Sequence, residues 1–279
     1  LHPRVRRQRQ MCIRDRYFSP TGTTRKIVTA TAKGLSRALK TSLEEHDFTL
    51  PKARTQPLRF TDSDLVVFGT PVYAGRVPNV LLPYLNTMQG NGALAIPVVL
   101  FGNRDYDDAL IELRDILENN GLHTIAAGAF VGEHSFSRIL AKDRPDMKDM
   151  DIVDEFVRKI CEKYKTDTLS HPIPVSGTPY PYRGYYTPRD RQGTPVDIRK
   201  VKPLTNDRCN NCKHCAKVCP MGSISYENVR ELTGICIKCG ACIKKCPKQA
   251  KYYEDTGYLY HQHELEEGLT RRAENTFFI

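Results

Sequence analysis

Cys209, Cys212, Cys215, Cys219 and Pro220 recur as Cys236, Cys239, Cys242, Cys246 and Pro247, each 27 residues further on. Tyr226 and Glu227 recur as Tyr253 and Glu254 at the same offset. Eight of the ten cysteines therefore sit between residues 209 and 246, leaving only Cys12 and Cys161 elsewhere. A secreted disulfide scaffold would also be dense in cysteine, but the opening residues carry no apolar run, so no export signal is expected. Clustered thiols without an export signal read as metal ligands. Zinc sites favour paired Cys-x2-Cys knuckles with a longer spacer between them. Three cysteines in a row at x2 spacing, a fourth at x3 followed by proline, and the whole run repeated, is a different pattern.

That run is the one found in bacterial two-cluster ferredoxins. Three close thiolates suit three corners of an iron–sulfur cube, and the fourth, where proline turns the chain away, serves the other cube. The spacing predicts two [4Fe-4S] clusters with crossed ligation. Cys209, Cys212, Cys215 and Cys246 hold one; Cys236, Cys239, Cys242 and Cys219 hold the other.

From Tyr17 to about residue 166 the pattern alternates between apolar runs and amphipathic stretches. Helices are expected from Thr24 to Lys40, over the stretch VPNVLLPYLNTM, over YDDALIELRDILENNG and from 145 to 165. Strands are expected near 47–50, at 64–71, at 95–103 and over HTIAAGAFVG. Alternation of this kind implies a parallel sheet covered on both faces. Ligands in such sheets lie at the carboxyl ends of the strands, near a switch in strand order. SPTGTT, GTPVYAGRVP and GNRDYDD each follow an expected strand and converge there.

SPTGTT, residues 19–24, has hydroxyls, one glycine and a following helix, but not the spacing of a nucleotide triphosphatase loop. It resembles the phosphate loop of flavodoxins. That family holds the FMN 5′-phosphate with helix N-terminal amides and hydroxyls instead of a cation. The resemblance implies a phosphate site at Ser19, Thr21, Gly22, Thr23 and Thr24. It extends to flavodoxin–ferredoxin fusion proteins of anaerobes over roughly 17–260. By position it implies that Pro71, Val72, Tyr73, Ala74 and Gly75 border one side of the isoalloxazine. Asn103, Arg104 and Tyr106 border the other. His134, beside Glu133, is a candidate proton relay at the flavin edge or a hydrogen-bonded structural histidine.

The expected architecture is α/β: a flavodoxin-like doubly wound parallel sheet followed by a small α+β two-cluster bacterial ferredoxin domain. Residues 17–166 form the FMN-binding domain, 167–205 a Pro/Tyr-rich linker, 206–258 the two-cluster domain and 259–279 a C-terminal tail. Residues 1–16, LHPRVRRQRQMCIRDR, look like a non-native start of adapter origin. Arg14, Asp15 and Arg16 stand where a buried apolar strand should run. The net charge is +10, and the six arginines and one aspartate of this segment supply half of it. The remaining excess is mild and suits an acidic protein partner more than nucleic acid. No apolar run is long enough for a membrane span, so a cytoplasmic location is expected. The expected function is electron transfer between the clusters and FMN, with redox partner proteins as unnamed donor and acceptor. A pure electron carrier without a substrate and a cluster-based redox or oxygen sensor remain as alternatives.

Overall fold

In the computed structural model residues 11–166, 169–190 and 192–279 are described. Residues 1–10, most of the expected non-native start, lie outside the described residues, as do 167, 168 and 191 of the linker. The elements are β1 (Cys12–Tyr17), α1 (Thr23–Leu39), β2 (Ser42–Asp47), β3 (Asp64–Pro71), α2 (Leu82–Leu85), β4 (Leu94–Phe101), α3 (Ala109–Asn119), β5 (His123–Thr124), β6 (Ala127–Val131) and α4 (Met147–Lys165). The C-terminal part adds β7 (Leu204–Thr205), α5 (His214–Lys217), α6 (Ala241–Lys244), β8 (Lys251–Tyr252), α7 (Thr256–Gly268) and β9 (Thr276–Phe278).

The main sheet runs β2-β1-β3-β4-β6-β9, with β5 paired to the start of β4. Strands β1 to β6 are parallel, and β9 returns antiparallel on β6. With β5 and β6 counted as one strand position, the order is 2-1-3-4-5. This is the flavodoxin-like doubly wound order, whose switch point falls between β1 and β3. Helices α1 and α4 cover one face, where Ile27, Val28, Leu35, Val153, Phe156 and Ile160 pack on Ile13, Leu65, Val67 and Val98. On the other face Leu110, Leu113 and Leu117 of α3 join Phe48, Phe68 and Val99.

Three expectations shift. The stretch expected to be helical over 77–88 holds only a 3-10 turn, Asn79–Leu81, and the single turn α2. Pro83 fits a first helical turn and cannot sit further inside one. The second strand lies at Ser42–Asp47 instead of 47–50, because an exposed polar edge strand carries no apolar signal. Residues read as a C-terminal tail complete α7 and supply β9 to the sheet.

The largest departure is β1. Its charged residues were expected to break the strand, yet Cys12–Tyr17 runs between β2 and β3. The two arginines are neutralised by neighbouring strands. Arg14 Nε donates to Asp64 at 2.7 Å and also pairs with Glu44. Arg16 donates to the Glu44 carboxylate at 2.7 Å and to its carbonyl at 3.0 Å, with its guanidinium over the Phe60 ring. Asp15 has no such relief. It is fully buried on the face of Ile13 and Tyr17, and neither carboxylate oxygen has a hydrogen-bond partner. Burial, with Glu45 directly opposite on β2, pushes its carboxyl up to about 6.

For a carboxyl raised in the folded state, the ionisation penalty vanishes below its unfolded value near 4. The penalty grows as pH rises and is complete above about 6. Two units correspond to about 3 kcal/mol. Asp15→Val should therefore stabilise the fold by about 2–3 kcal/mol at pH 7.5 in urea unfolding. The advantage should narrow as the pH is lowered to 5. A gain independent of pH would show that the buried carboxylate is not its source.

Candidate functional site

The 27-residue repeat is visible in the backbone. Left-handed residues occur in pairs at that offset: Asn211 and Lys238, Lys213 and Gly240, Gly222 and Gln249. Each repeat opens its one-turn helix, α5 or α6, directly after such a residue. In each, the amide four residues after the last cysteine points at its sulfur. Ser223 N lies 3.4 Å from Cys219 Sγ, and Ala250 N lies 3.2 Å from Cys246 Sγ.

Two clefts result. One, of about 310 Å³ and partly open to solvent, is lined by Cys209, Cys212, Cys215 and Cys246. The other, of about 350 Å³, is lined by Cys219, Cys236, Cys239 and Cys242 among Ile224, Leu232, Ile235 and Tyr253. The fourth cysteine of each repeat thus faces the cleft of the other. All eight thiols are free. No three of their sulfurs lie within 4.8 Å of one another, judged over the described residues. Ligands of one tetrahedral zinc, with bonds of about 2.3 Å, would sit closer, roughly 3.8 Å apart. Burial pushes the Cys239 thiol up to about 12 and shifts Cys242 and Cys215 the same way. A bound metal's positive charge would favour the ionised form of these sulfurs. The buried Lys251 adds a cation to the wall of the first cleft.

At the switch point a third cleft, of about 440 Å³ and partly open, lies at the carboxyl ends of β1, β3 and β4. Gly22, at φ +102°, caps α1 in a conformation open to glycine. Among the described residues the amides of Thr21, Gly22, Thr23 and Thr24 have no acceptor; the first bond into the helix runs from Lys26 N to Gly22 O. Free amides at a helix N-terminus beside hydroxyls fit a phosphate. Ser19 shapes the loop: its Oγ accepts from Arg25 N at 2.9 Å, and its amide donates to Thr49 Oγ1 at 2.7 Å.

Thr21, Thr23, Thr24, Pro71, Val72 and Tyr73 line this cleft. Ala74 and Gly75 do not, and Gly75 packs against Asp107. Asn103, Arg104 and Tyr106 are also placed elsewhere. The Asn103 amide donates to the Leu269 and Arg271 carbonyls at 2.9 and 2.7 Å, and its oxygen accepts from Ala273 N. Arg104 pairs with Asp107 and lies over the Tyr186 ring. Tyr106 packs on Phe101, with centroids 5.6 Å apart. The loop assigned to the second side of a flavin is occupied instead by the C-terminal and linker segments.

The opposite wall is Gly132, Glu133, His134 and Ser135, with Cys239. His134 Nδ1 accepts from Phe136 N at 3.1 Å, so Nε2 carries the proton. Burial, aided by Lys244, draws its pKa down to about 3. It is a neutral donor near physiological pH. Cys239 belongs to two clefts, and sequence reasoning saw only one of them. The second repeat is docked on this wall. Gly240 approaches so closely that a Cβ there would meet the Ser135 carbonyl at 2.5 Å. Lys244 pairs with Glu133 and donates to the carbonyls of His134 and Ser137 at 2.5 and 2.8 Å. Arg54 donates to the Pro220 carbonyl at 2.6 Å from the other side. Tyr73, its phenol pushed upward by burial and by the Cys239 and Cys236 sulfurs, stands between the clefts.

Residues 208–251 match the family described as a 4Fe-4S dicluster domain. No curated protein matches the chain. Among solved structures, a flavodoxin from the domain Archaea aligns with 56% of this chain and 99% of its own, at 13% identity and a TM-score of 0.40. A flavodoxin of Streptococcus pneumonia TIGR4 covers 55% and 99%, at 17% identity and 0.39. An NADH:FMN oxidoreductase in its apo form covers 58% and 96%, at 17% identity and 0.41. The fold assignment rests on the strand order and not on these likenesses.

Anaerobically prepared protein should contain about eight irons and eight sulfides per chain. Cys219→Ala should damage the group held with Cys236, Cys239 and Cys242, and Cys246→Ala the other, as resolved by EPR of the reduced protein. Zinc in place of iron, or a Cys219→Ala chain that loses only the first group, would contradict the crossed arrangement.

Proposed function

We propose that the chain is an iron–sulfur flavoprotein, holding two [4Fe-4S] clusters and FMN for electron transfer within one polypeptide. The observation that carries this reading is Cys239, which lines both the second cysteine cleft and the cleft at the phosphate loop. When bound, clusters supply one-electron transfer and a flavin supplies one- or two-electron chemistry.

The residues have separate tasks. Thr21, Thr23 and Thr24, with the amides from Thr21 to Thr24, bind the FMN phosphate. Pro71, Val72 and Tyr73 border the ring on one side, and Gly132 to Ser135 border it on the other. His134, neutral and protonated at Nε2, offers a hydrogen bond to the ring. It does not relay a proton, since its Nδ1 is committed to Phe136. Lys244 and Gly240 hold Cys239 against the cleft. The donor, the acceptor and any organic substrate are redox partners outside this chain.

Thr21→Ala with Thr24→Ala should lower FMN affinity on the order of 100-fold, two hydroxyl bonds to a charged group being worth about 3 kcal/mol together. The iron content should not change. On rapid mixing of the loaded wild type with a one-electron reductant, the flavin absorbance should bleach at a rate independent of protein concentration. A rate that rises with protein concentration would mean that the two modules exchange electrons only between molecules.

A further inference from the structure

At the amino ends of the strands, opposite the proposed flavin cleft, Glu118, His123 and His171 converge from three elements. Glu118 lies in the last turn of α3, His123 opens β5, and His171 follows α4 in the chain. Among the described residues they form the one trio of His, Cys, Asp or Glu donors whose ligand atoms all fall within 4.8 Å. The Nδ1 atoms of His171 and His123 lie 3.6 and 4.0 Å from the same oxygen, Glu118 Oε2. Both distances exceed a hydrogen bond. His123 Nδ1 is buried and has no partner.

The surroundings hold these groups ready. Glu118 Oε1 accepts from the Thr124 amide at 2.6 Å and from its hydroxyl, leaving Oε2 turned to the two rings. His123 is fixed through its amide to the Ala93 carbonyl at 2.8 Å. His171 is tethered two residues on, where Ile173 N donates to the Thr124 carbonyl at 3.0 Å. A carboxylate oriented by a second set of donors is the usual support of a metal ligand.

The geometry points to a divalent-metal site at Glu118, His123 and His171, zinc being the ion that two imidazoles and one carboxylate suit best. Bonds of about 2.0–2.1 Å in a tetrahedron put donor atoms roughly 3.3–3.5 Å apart. The observed 3.6 and 4.0 Å contract to that with small movements. The rings now stack at 3.9 Å between centroids with 29° between planes, so they must splay for both lone pairs to meet one ion. Both side chains are 39% exposed, which leaves room for the rotation. Water completes the fourth position. The ion would pin the segment that leaves α4 to the floor of the sheet, and so fix where the crossing to the cysteine repeats begins. Its place in the fold is independent of the cluster and flavin assignments.

The test uses anaerobically prepared, iron-loaded full-length protein titrated with zinc chloride, with the bound ion then read by zinc-edge X-ray absorption. One equivalent should bind with a first shell of nitrogen and oxygen at about 2.0–2.2 Å and imidazole outer-shell scattering. His171→Gln, at a half-exposed position, should weaken binding at least about tenfold, the lower end of what even a ligand's outer partner is worth. His123→Gln should repeat the loss from the second ring. Failure to bind zinc would overturn the site and leave a carboxylate facing two imidazoles. A first shell of sulfur at about 2.3 Å, or unchanged affinity in both variants, would also overturn it, by assigning the zinc to the cysteines or to the general surface.

Discussion

The arrangement of the two modules depends on one close approach: the second cysteine repeat pressed onto the loop that follows β6. Gly240 can lie there because it has no Cβ to strike the Ser135 carbonyl. Lys244 then reaches one carboxylate and two carbonyls of that loop. Its own desolvation is offset by three acceptors, the condition under which a buried cation is tolerated. Because α6 starts one residue after Gly240, the same contact places Cys239 at the mouth of the switch-point cleft.

The C-terminal segment works to the same end. After α7, which packs Tyr258 on Tyr253 and Phe136, the chain runs back across Asn103 and adds β9 to the edge of the sheet. Arg144, Asp149, Arg272 and Asn275 lock this return in a network around one buried carboxylate. The cysteine module is therefore tied to the α/β module at both of its ends. A tether that also constrains orientation maintains proximity better than a free linker does.

The cysteine repeat was fully legible in the sequence, because ligand spacing is itself the signal, and the left-handed pairs at the same offset follow from it. That the loops at 19–24 and 71–73 meet at the switch point was legible for a similar reason: each combines local residue types with the end of a strand or the start of a helix. The placement of Asn103, Arg104 and Tyr106 was not. It depends on where residues 269–273 return, and nothing local to 103–106 encodes that. The polar edge strand β2 gave no apolar period to read. In β1 the arginines found acids on strands 30 and 50 residues away, at Glu44 and Asp64. Asp15 found none, and there the misgiving raised by the sequence has a physical counterpart: a buried, unpartnered carboxylate in the middle of the sheet.

Iron-edge anomalous diffraction from crystals grown anaerobically with FMN would locate the metal groups and the flavin relative to one another. Two iron peaks per chain are expected, the one framed by Cys219, Cys236, Cys239 and Cys242 lying beside the flavin density at Thr21–Thr24. Flavin density beside the peak framed by Cys209, Cys212, Cys215 and Cys246, or remote from both peaks, would contradict that arrangement.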